Sequence, residues 1–270
     1  MDSLLETAIT AAIKAGEEIL CIYNDPTSDF EIERKSDQSP LTIADRKSNE
    51  IIMGYLNNTP YPVISEENKT IHFEERRHWQ ILWIVDPLDG TKEFIKRNGE
   101  FTVNIALVYE GRPVLGVIYI PVKKTLYYGT IRNGAYRIDN ISSKTDFDTI
   151  DKQAVRLPIK RKDSSYIVVA SRSHMSPETE SFVNQLRKEH EDVQLTSIGS
   201  SIKICLVAEG SADIYPRFAP TMEWDTAAGH AIAKAAGKDL YHEDGITPLE
   251  YNKEDLLNPW FIAKTMNEKG

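Results

Sequence analysis

Cysteine is scarce in this sequence, and its scarcity excludes two kinds of stabilised domain. The 270 residues include two cysteines, Cys21 and Cys205, which lie far apart in the chain. A disulfide framework or a structural zinc site needs several cysteines, or cysteines and histidines, at short spacings. We therefore expect a reducing cytosol and a fold held by its hydrophobic core, for which 41% hydrophobic residues suffice.

Long apolar runs are also missing. No segment reaches the roughly 18 uninterrupted apolar residues that a membrane-spanning helix needs. Acidic and basic residues interrupt residues 1–20, so this stretch lacks the apolar core of a signal peptide. We expect a cytoplasmic protein without an integral membrane segment.

Positive charge is in deficit as well. The formal net charge is -9 and the pI is about 5.3. A protein that binds DNA or RNA would present a basic stripe, and this composition argues against one. An anionic small substrate remains compatible with the charge if metal ions neutralise it. Internal repeats and low-complexity tracts are absent too.

The apolar patterns predict a mixed α/β chain with two lobes that together form one domain. Residues 1–162 would be an α+β lobe that contains an antiparallel meander at 101–128, and residues 163–270 an α/β lobe of alternating strands and helices. The polar stretch 140–163 is typical of a surface connection between them. We predict strands at 30–34, 81–85 and 212–215, and helices at 200–209 and 226–236.

The most informative stretch is 83–91, where an apolar strand runs into two carboxylates and a turn. Trp83, Ile84 and Val85 are typical of a buried strand, and Asp86 and Asp89 follow it. Ligands of α/β sheets bind at the carboxyl ends of strands. The free backbone N–H groups at a helix start near Thr91 would favour a phosphate.

Further carboxylates stand in comparable positions. Glu66 follows a short strand, Asp45 lies in a helix, and Asp225 precedes an alanine-rich helix. Each also has an ordinary structural interpretation: Asp225 as a helix N-cap and Asp45 as a first-turn carboxylate that stabilises its helix. Oxygen ligands without histidine or cysteine suit Mg²⁺ or Mn²⁺ rather than zinc.

These motifs resemble the lithium-sensitive, magnesium-dependent phosphomonoesterases of the inositol monophosphatase superfamily. The resemblance rests on the runs 39–45, 86–91 and 224–229 together with Glu66, and it spans residues 35–230. It implies a layered αβαβα sandwich, an α/β (α+β) fold, with the active site between two lobes.

The resemblance also implies a set of site residues. Glu66, Asp86 and the Leu88 carbonyl would hold one Mg²⁺, and Asp86, Asp89 and Asp225 the next, with a third, weakly held ion near Glu66 and Mn²⁺ as a substitute. Thr91 and Asp45 would form the catalytic pair that orients and deprotonates the attacking water.

The second half resembles the 3'(2'),5'-bisphosphate nucleotidase branch, which cleaves 3'-phosphoadenosine 5'-phosphate to AMP and phosphate and so recycles a by-product of sulfate activation. The related 3'-phosphoadenosine 5'-phosphosulfate is a second candidate substrate. Lys203 and Arg217 suit the phosphate that lies away from the metals. The full predicted substrate-binding set is Gly90, Thr91, Ser171, His174, Gly199, Ser200, Lys203, Arg217 and Asp225.

Ordinary interpretations of this second set stay open: residues 199–201 as a turn with an N-cap, and His174 as an exposed loop residue. Hydrolysis of inositol monophosphate or fructose bisphosphate is the alternative activity, and a non-catalytic nucleotide or metal sensor is the alternative of another class. We expect a monomer or weak homodimer, free in the cytoplasm or, as in similar bacterial proteins, peripheral on the inner membrane.

Overall fold

The computed structural model of this chain describes residues 2–34, 40–162, 164–170 and 176–266. Two long helices form its first layer, α1 (Ser3–Asn24) and α2 (Ile43–Leu56). Each begins at a residue whose side chain accepts a backbone N–H, Asp2 for α1 and Thr42 for α2. A short antiparallel ladder of β1 (Glu33–Arg34) and β2 (Pro40–Leu41) stands before α2.

A seven-stranded sheet forms the second layer. In spatial order its strands are β3 (Val63–Ser65), β4 (Ile81–Asp89), β5 (Thr102–Tyr109), β6 (Arg112–Ile120), β7 (Thr125–Thr130), β8 (Gly134–Ile138) and β9 (Val155–Arg156). The first pair is parallel and every later pair is antiparallel. The predicted meander is therefore present. The short helices α3 (Phe73–Arg76), α4 (Thr91–Ile95) and α5 (Phe147–Gln153) lie in the connections.

Helices α7 (Ile202–Glu209) and α8 (Glu223–Ala235) form the middle layer, and α8 packs directly on β6. Its small residues permit a close approach to the sheet. A Cβ atom at Gly116 would lie 2.2 Å from the carbonyl oxygen of Ala228, so only glycine fits at this crossing.

A five-stranded sheet and one outer helix complete the fold. In spatial order the strands are β11 (Val193–Ser197), β10 (Tyr166–Ala170), β12 (Ile214–Arg217), β14 (Phe261–Thr265) and β13 (Lys238–His242), and the helix is α6 (Pro177–Glu189). One apolar core lies between the first helices and the large sheet, a second around α7 and α8, and a small third one under α6. These layers confirm the expected αβαβα sandwich.

Several predicted elements differ from the observed ones. The strand expected at 30–34 is reduced to Glu33–Arg34, because Phe30 and Glu31 have positive φ angles of 65° and 46° that no strand accommodates. The connection 140–163 carries α5 and β9 rather than being only a surface loop. The strand expected at 212–215 is observed as Ile214–Arg217.

Both cysteines are free: Cys21 is exposed and Cys205 is buried. Among the helices of the described residues, none combines the length and the apolar character that crossing a bilayer requires.

Candidate active site

The carboxyl end of β4 brings Asp86 and Asp89 to the site. Leu82, Trp83 and Val85 are fully buried, and they anchor the strand between the first two cores. The pairing of β4 with β5 becomes irregular between Asp86 and Asp89, so the strand bends there. The observed strand thus runs through both aspartates instead of ending at residue 85.

The turn within this segment is held by two hydrogen bonds. The backbone N–H of Leu88 donates to Oδ1 of Asp86 at 3.0 Å, and the Ser48 hydroxyl donates to the carbonyl oxygen of Pro87 at 2.6 Å. Asp86 and Leu88 are both buried. The positions of the Asp86 carboxylate and of the Leu88 carbonyl are therefore fixed by the fold.

Asp225 joins these two aspartates from the middle layer. Oxygen atoms of Asp86, Asp89 and Asp225 all lie within 4.8 Å of one another. No lysine or arginine of the described residues forms an ion pair with any of the three. Converging carboxylate oxygens without a protein cation are the donor set that hard divalent cations require. The residues present therefore fit a divalent metal.

The side chains of Asp86, Asp89, Asp225 and Glu66 are called the acidic group below. The pKa values within this group reflect the closeness of its carboxylates. Burial raises the pKa of Asp86 well above its usual range, and the charge of Glu66 and a hydrogen bond with that side chain raise it further. Burial, followed by the charge of Asp89, raises the pKa of Asp225 to about 8. Like charges in a buried site favour protonation, whereas a bound cation would favour the ionised forms.

Glu66 reaches the group from the segment after β3. Its backbone N–H donates to the carbonyl oxygen of Val85 at 3.2 Å, which places it beside the end of β4. The parallel pairing of β3 with β4 accounts for this, because parallel strands end at the same edge of a sheet. The structure thus brings Glu66 together with Asp86, as the sequence predicts.

Asp225 is not the N-cap of its helix. Helix α8 begins at Glu223, three residues before the predicted start, so Asp225 lies inside its first turn. Oδ2 of Asp225 accepts the backbone N–H of Met222 at 2.7 Å. One carboxylate oxygen therefore helps to begin the helix while the carboxylate as a whole faces the other aspartates.

Asp45 and Thr91 lie within hydrogen-bond distance of each other. Oδ2 of Asp45 accepts the backbone N–H and the hydroxyl of Thr42 at 2.7 and 2.5 Å, and Oδ1 lies 3.1 Å from the hydroxyl oxygen of Thr91. Asp45 is buried. One of its carboxylate oxygens accepts hydrogen bonds at the start of α2 and the other lies near the Thr91 hydroxyl, so the first-turn interpretation and the contact with Thr91 are compatible.

Gly90 is required by the turn that leads into α4. Its φ angle is 97°, and a Cβ atom there would lie 3.1 Å from the carbonyl oxygen of Glu100. Thr91 is the first residue of α4. The backbone thus changes direction between the acidic group and Thr91, as the sequence predicts.

A cavity of about 370 Å³ joins this acidic end to the residues predicted to bind substrate. The predicted residues among its lining are Asp89, Gly90, Gly199, Ser200, Lys203, Arg217 and Asp225. Ile198, Tyr215 and Phe261 add apolar surface to the same wall. Residues that are distant in sequence therefore share one cleft between the two sheets.

Lys203 and Arg217 are the predicted substrate residues that bring positive charge to this cavity, which Lys96 also lines. Lys203 is only 8% exposed; its Nζ lies 3.4 Å from the carbonyl oxygen of Ile198 and 5.7 Å from the centre of the Tyr215 ring. Arg217 donates to the carbonyl oxygen of Pro220 at 3.2 Å. Neither cation forms an ion pair within the described part of the chain. Burial lowers the pKa of Lys203 to about 8.

The turn 199–201 approaches the Gly90 loop closely. The backbone N–H of Gly199 donates to Oε2 of Glu100 at 2.8 Å, and a Cβ atom at Gly199 would lie 2.8 Å from the Glu100 carbonyl oxygen. Ser200 has a φ angle of 49°, and its buried hydroxyl has no hydrogen-bond partner among the described residues. Gly199 therefore permits the close approach of the two backbone segments, while Ser200 lines the cavity.

Ser201 and Asn104 are site residues whose positions the sequence interpretation missed. Helix α7 begins at Ile202 rather than at residue 200, and the backbone N–H and hydroxyl of Ser201 donate to Asp89. Asn104 lies on β5 opposite Asp86. A polar amide inside an otherwise apolar strand was the signal that could have identified Asn104.

Ser171 and His174, the remaining predicted substrate residues, lie outside the described residues.

Comparisons with known proteins agree with this geometry. The sequence model of the Inositol monophosphatase family matches residues 1–268. The 3'(2'),5'-bisphosphate nucleotidase CysQ of Salmonella typhimurium is 48% identical over 262 residues, covering 96% of this chain and 98% of that protein. The crystal structure of CysQ from Bacteroides thetaiotaomicron has a TM-score of 0.92 and 59% identity and covers 98% of each chain. The extragenic suppressor protein suhB from Bartonella henselae, at 24% identity and a TM-score of 0.72 over 98% of this chain and 94% of that one, shares the fold.

Proposed function

The chain belongs to the inositol monophosphatase family, and from this premise we propose that it is a divalent-metal-dependent 3'(2'),5'-bisphosphate nucleotidase. Its substrate would be 3'-phosphoadenosine 5'-phosphate and its products AMP and phosphate. The observation that carries the proposal is the single cavity that joins Asp89 and Asp225 to Lys203 and Arg217. A bisphosphorylated nucleotide needs charge compensation at both ends, and this cavity offers it at both.

The metal would be held by the acidic group and the adjoining turn. We propose two to three Mg²⁺ ions, with Mn²⁺ as a substitute, on Asp86, Asp89, Asp225, Glu66 and the Leu88 carbonyl. Bound divalent cations supply neutralisation of the phosphate, acidification of water and stabilisation of the leaving oxygen. The raised pKa values of Asp86 and Asp225 support this assignment, because they indicate carboxylates arranged for a cation.

Asp45 and Thr91 would handle the proton of the attacking water. The Thr91 hydroxyl donates to Oδ1 of Asp45 at 3.1 Å, while Oδ2 is held by Thr42. In the proposed step the water oxygen bonds to phosphorus and the bond from phosphorus to the ribose O3' breaks. One water proton passes through the Thr91 hydroxyl to Asp45, and the other hydrogen stays on the released phosphate. O3' takes a proton from solvent and leaves as the nucleoside hydroxyl, while Asp45 returns its proton to solvent.

The second phosphate would lie at Lys203 and Arg217. Both cations are without an ion pair within the described chain, and Ser200, whose buried hydroxyl has no partner there, lines the same cavity. The apolar wall of Ile198, Tyr215 and Phe261 suits the adenosine between the phosphates. Ser171 and His174 stay predicted substrate-binding residues, with His174 expected near the ribose or base.

An assay of substrate preference tests this proposal. Purified protein with Mg²⁺ should release phosphate from 3'-phosphoadenosine 5'-phosphate faster than from inositol 1-phosphate or fructose 1,6-bisphosphate. A clear preference for inositol 1-phosphate would replace the nucleotide assignment with the inositol one. Absence of phosphate release from every ester would favour the non-catalytic sensor. The phosphosulfate analogue in the same series tests the second candidate substrate.

Lithium inhibition follows from the same assignment, and a titration with LiCl at fixed Mg²⁺ tests it. Undiminished rates at millimolar lithium would contradict it. Three statements stay predictions from the sequence. They are the division into lobes at residues 162 and 163, a cytoplasmic location that is either free or peripheral on the inner membrane, and a monomer or weak homodimer.

A further inference from the structure

Ser201 makes an unusual set of short contacts with the acidic group. Its backbone N–H and its hydroxyl oxygen both lie 2.6 Å from Oδ2 of Asp89. The same hydroxyl oxygen lies 2.7 Å from the backbone carbonyl oxygen of Asp225. One residue therefore contacts two of the three aspartates, which come from β4 and α8.

The hydrogen bond from Asn104 limits the groups that can accept the hydroxyl proton of Ser201. The amide Nδ2 of Asn104 lies 3.0 Å from the hydroxyl oxygen of Ser201 and 3.4 Å from Oδ2 of Asp89. Because the amide donates to the Ser201 oxygen, the single hydroxyl proton is left for Asp89 or for the Asp225 carbonyl. The backbone N–H of Ser201 holds Asp89 in either case.

The burial of this arrangement makes it rigid. Ser201 and Asn104 are 4% and 1% exposed, so their hydrogen bonds are formed largely away from water. Hydrogen bonds to a charged carboxylate are shorter and stronger than neutral ones, and low polarity strengthens them further. Ser201 and Asn104 both approach Oδ2, so they leave the other oxygen of Asp89 for a different partner.

We propose that Ser201 is a positioning residue that orients Asp89 for a divalent cation and sets its distance from Asp225. The start of α7 thereby couples the large sheet to α8. This inference rests on the proposed function only in taking Asp89 and Asp225 as metal ligands. Partners of this kind hold ligating carboxylates in place, and their loss lowers metal affinity by about 10- to 100-fold.

Calorimetric titration of the protein with Mn²⁺ alone, without substrate, tests the inference. Ser201→Ala keeps the backbone N–H and removes the hydroxyl, so we expect Mn²⁺ affinity to fall by about tenfold. Ser201→Thr keeps the hydroxyl and should recover most of the affinity. Ser211→Ala is the matched control, because the Ser211 hydroxyl donates to the carboxylate of Glu209 at 2.5 Å beyond the opposite end of α7.

Equal Mn²⁺ affinity in Ser201→Ala and Ser211→Ala would overturn the inference. If Ser201→Ala did not fold, as judged by circular dichroism, Ser201→Cys would provide the same measurement with a poor donor of similar size. Kinetics give a second readout: the Mg²⁺ concentration for half-maximal phosphate release should rise in Ser201→Ala and not in Ser211→Ala. A rise in both would indicate a general structural effect and would also overturn the inference.

The two proposals fail in different ways. A wild-type protein that releases no phosphate from any ester would remove the proposed function, while the difference in Mn²⁺ affinity between the two serine variants would persist. A wild-type protein that is active and a Ser201→Ala variant with unchanged Mn²⁺ affinity would remove only the inference about Ser201.

Discussion

Glu223 and Asp225 lie in the same turn of α8, yet their carboxylates have opposite surroundings. Glu223 is fully buried and accepts hydrogen bonds from the backbone N–H groups of Asn252 and Lys253 and from the Lys253 ammonium. Asp225 instead faces Asp86 and Asp89, and no lysine or arginine pairs with it among the described residues. One carboxylate is neutralised by the chain, and the other is not.

Other buried carboxylates follow the Glu223 pattern. Glu209 accepts from the Tyr127 hydroxyl and from Arg137 at 2.6 and 3.0 Å, and Asp239 lies 2.5 Å from Nε2 of His230. Buried charges usually require such partners. The acidic group at the end of β4 departs from this rule, as expected of carboxylates that bind a divalent cation.

The largest effect should come from removing one charge of the acidic group. Asp89→Asn should lower Mg²⁺-dependent phosphate release by about 1000-fold, because several kcal/mol of charge stabilisation by the metal are lost. The measurement is phosphate release with 3'-phosphoadenosine 5'-phosphate. The exposed Asp148→Asn is the control and should keep wild-type rates. Undiminished activity of Asp89→Asn would show that the metal assignment is wrong.

Breaking the neutralised carboxylate should affect stability instead of chemistry. Lys253→Met leaves Glu223 buried without its cation, and we expect the free energy of unfolding to fall by about 3 kcal/mol. Urea denaturation measures this. Lys47→Met, which breaks the exposed pair of Lys47 and Glu50 at 2.9 Å, is the control and should leave the unfolding curve unchanged. Equal curves for both variants would remove the contrast between the two carboxylates of α8.

Metal should stabilise the protein through the acidic group. Addition of Mg²⁺ at 100 times its dissociation constant should raise the free energy of unfolding by about 2.7 kcal/mol relative to protein in a chelator. Asp89→Asn should lose most of this gain, whereas Lys253→Met should keep it. A gain of equal size in all three proteins would mean that Mg²⁺ binds elsewhere.

The smallest effect concerns the buried cation of the cavity. Burial lowers the pKa of Lys203 to about 8, so its ammonium loses its proton as the pH rises from 7 to 9. We expect the KM for the bisphosphate to rise up to about tenfold over this range, since one tenth of the lysine stays charged one pH unit above its pKa. Lys203→Met should have a higher KM at pH 7 and a flat profile.

Substrate binding should weaken as the pH rises, whereas the contribution of Lys203 to the free energy of unfolding should increase. Its folded pKa is lower than the unfolded value of 10.5, so the native state binds fewer protons between pH 8 and 10.5. Stability therefore rises with pH through this window for this one group. If KM depended on pH in the same way in wild type and in Lys203→Met, Lys203 would not be a substrate-binding residue.

Much of the fold and of the acidic group followed from local patterns. Alternation of apolar residues predicted the antiparallel meander, and the acids that follow residues 63–65 and 81–85 predicted a metal site. The start of α8 was misplaced, because an alanine-rich stretch indicates a helix without marking its first turn. The strand at 30–34 failed because alternation over five residues does not exclude positive φ angles.

The sequence by itself determined which chemistry this protein can perform. The oxygen-only ligand set, the glycine before Thr91 and the cationic residues Lys203 and Arg217 are properties of residue type and spacing, and they can be read from the sequence. Only the tertiary structure decided how these groups meet. Hydrogen bonds between β4, β5 and the start of α7 join residues about 100 positions apart, so the placement of Ser201 and Asn104 on Asp89 follows from the packing of three layers.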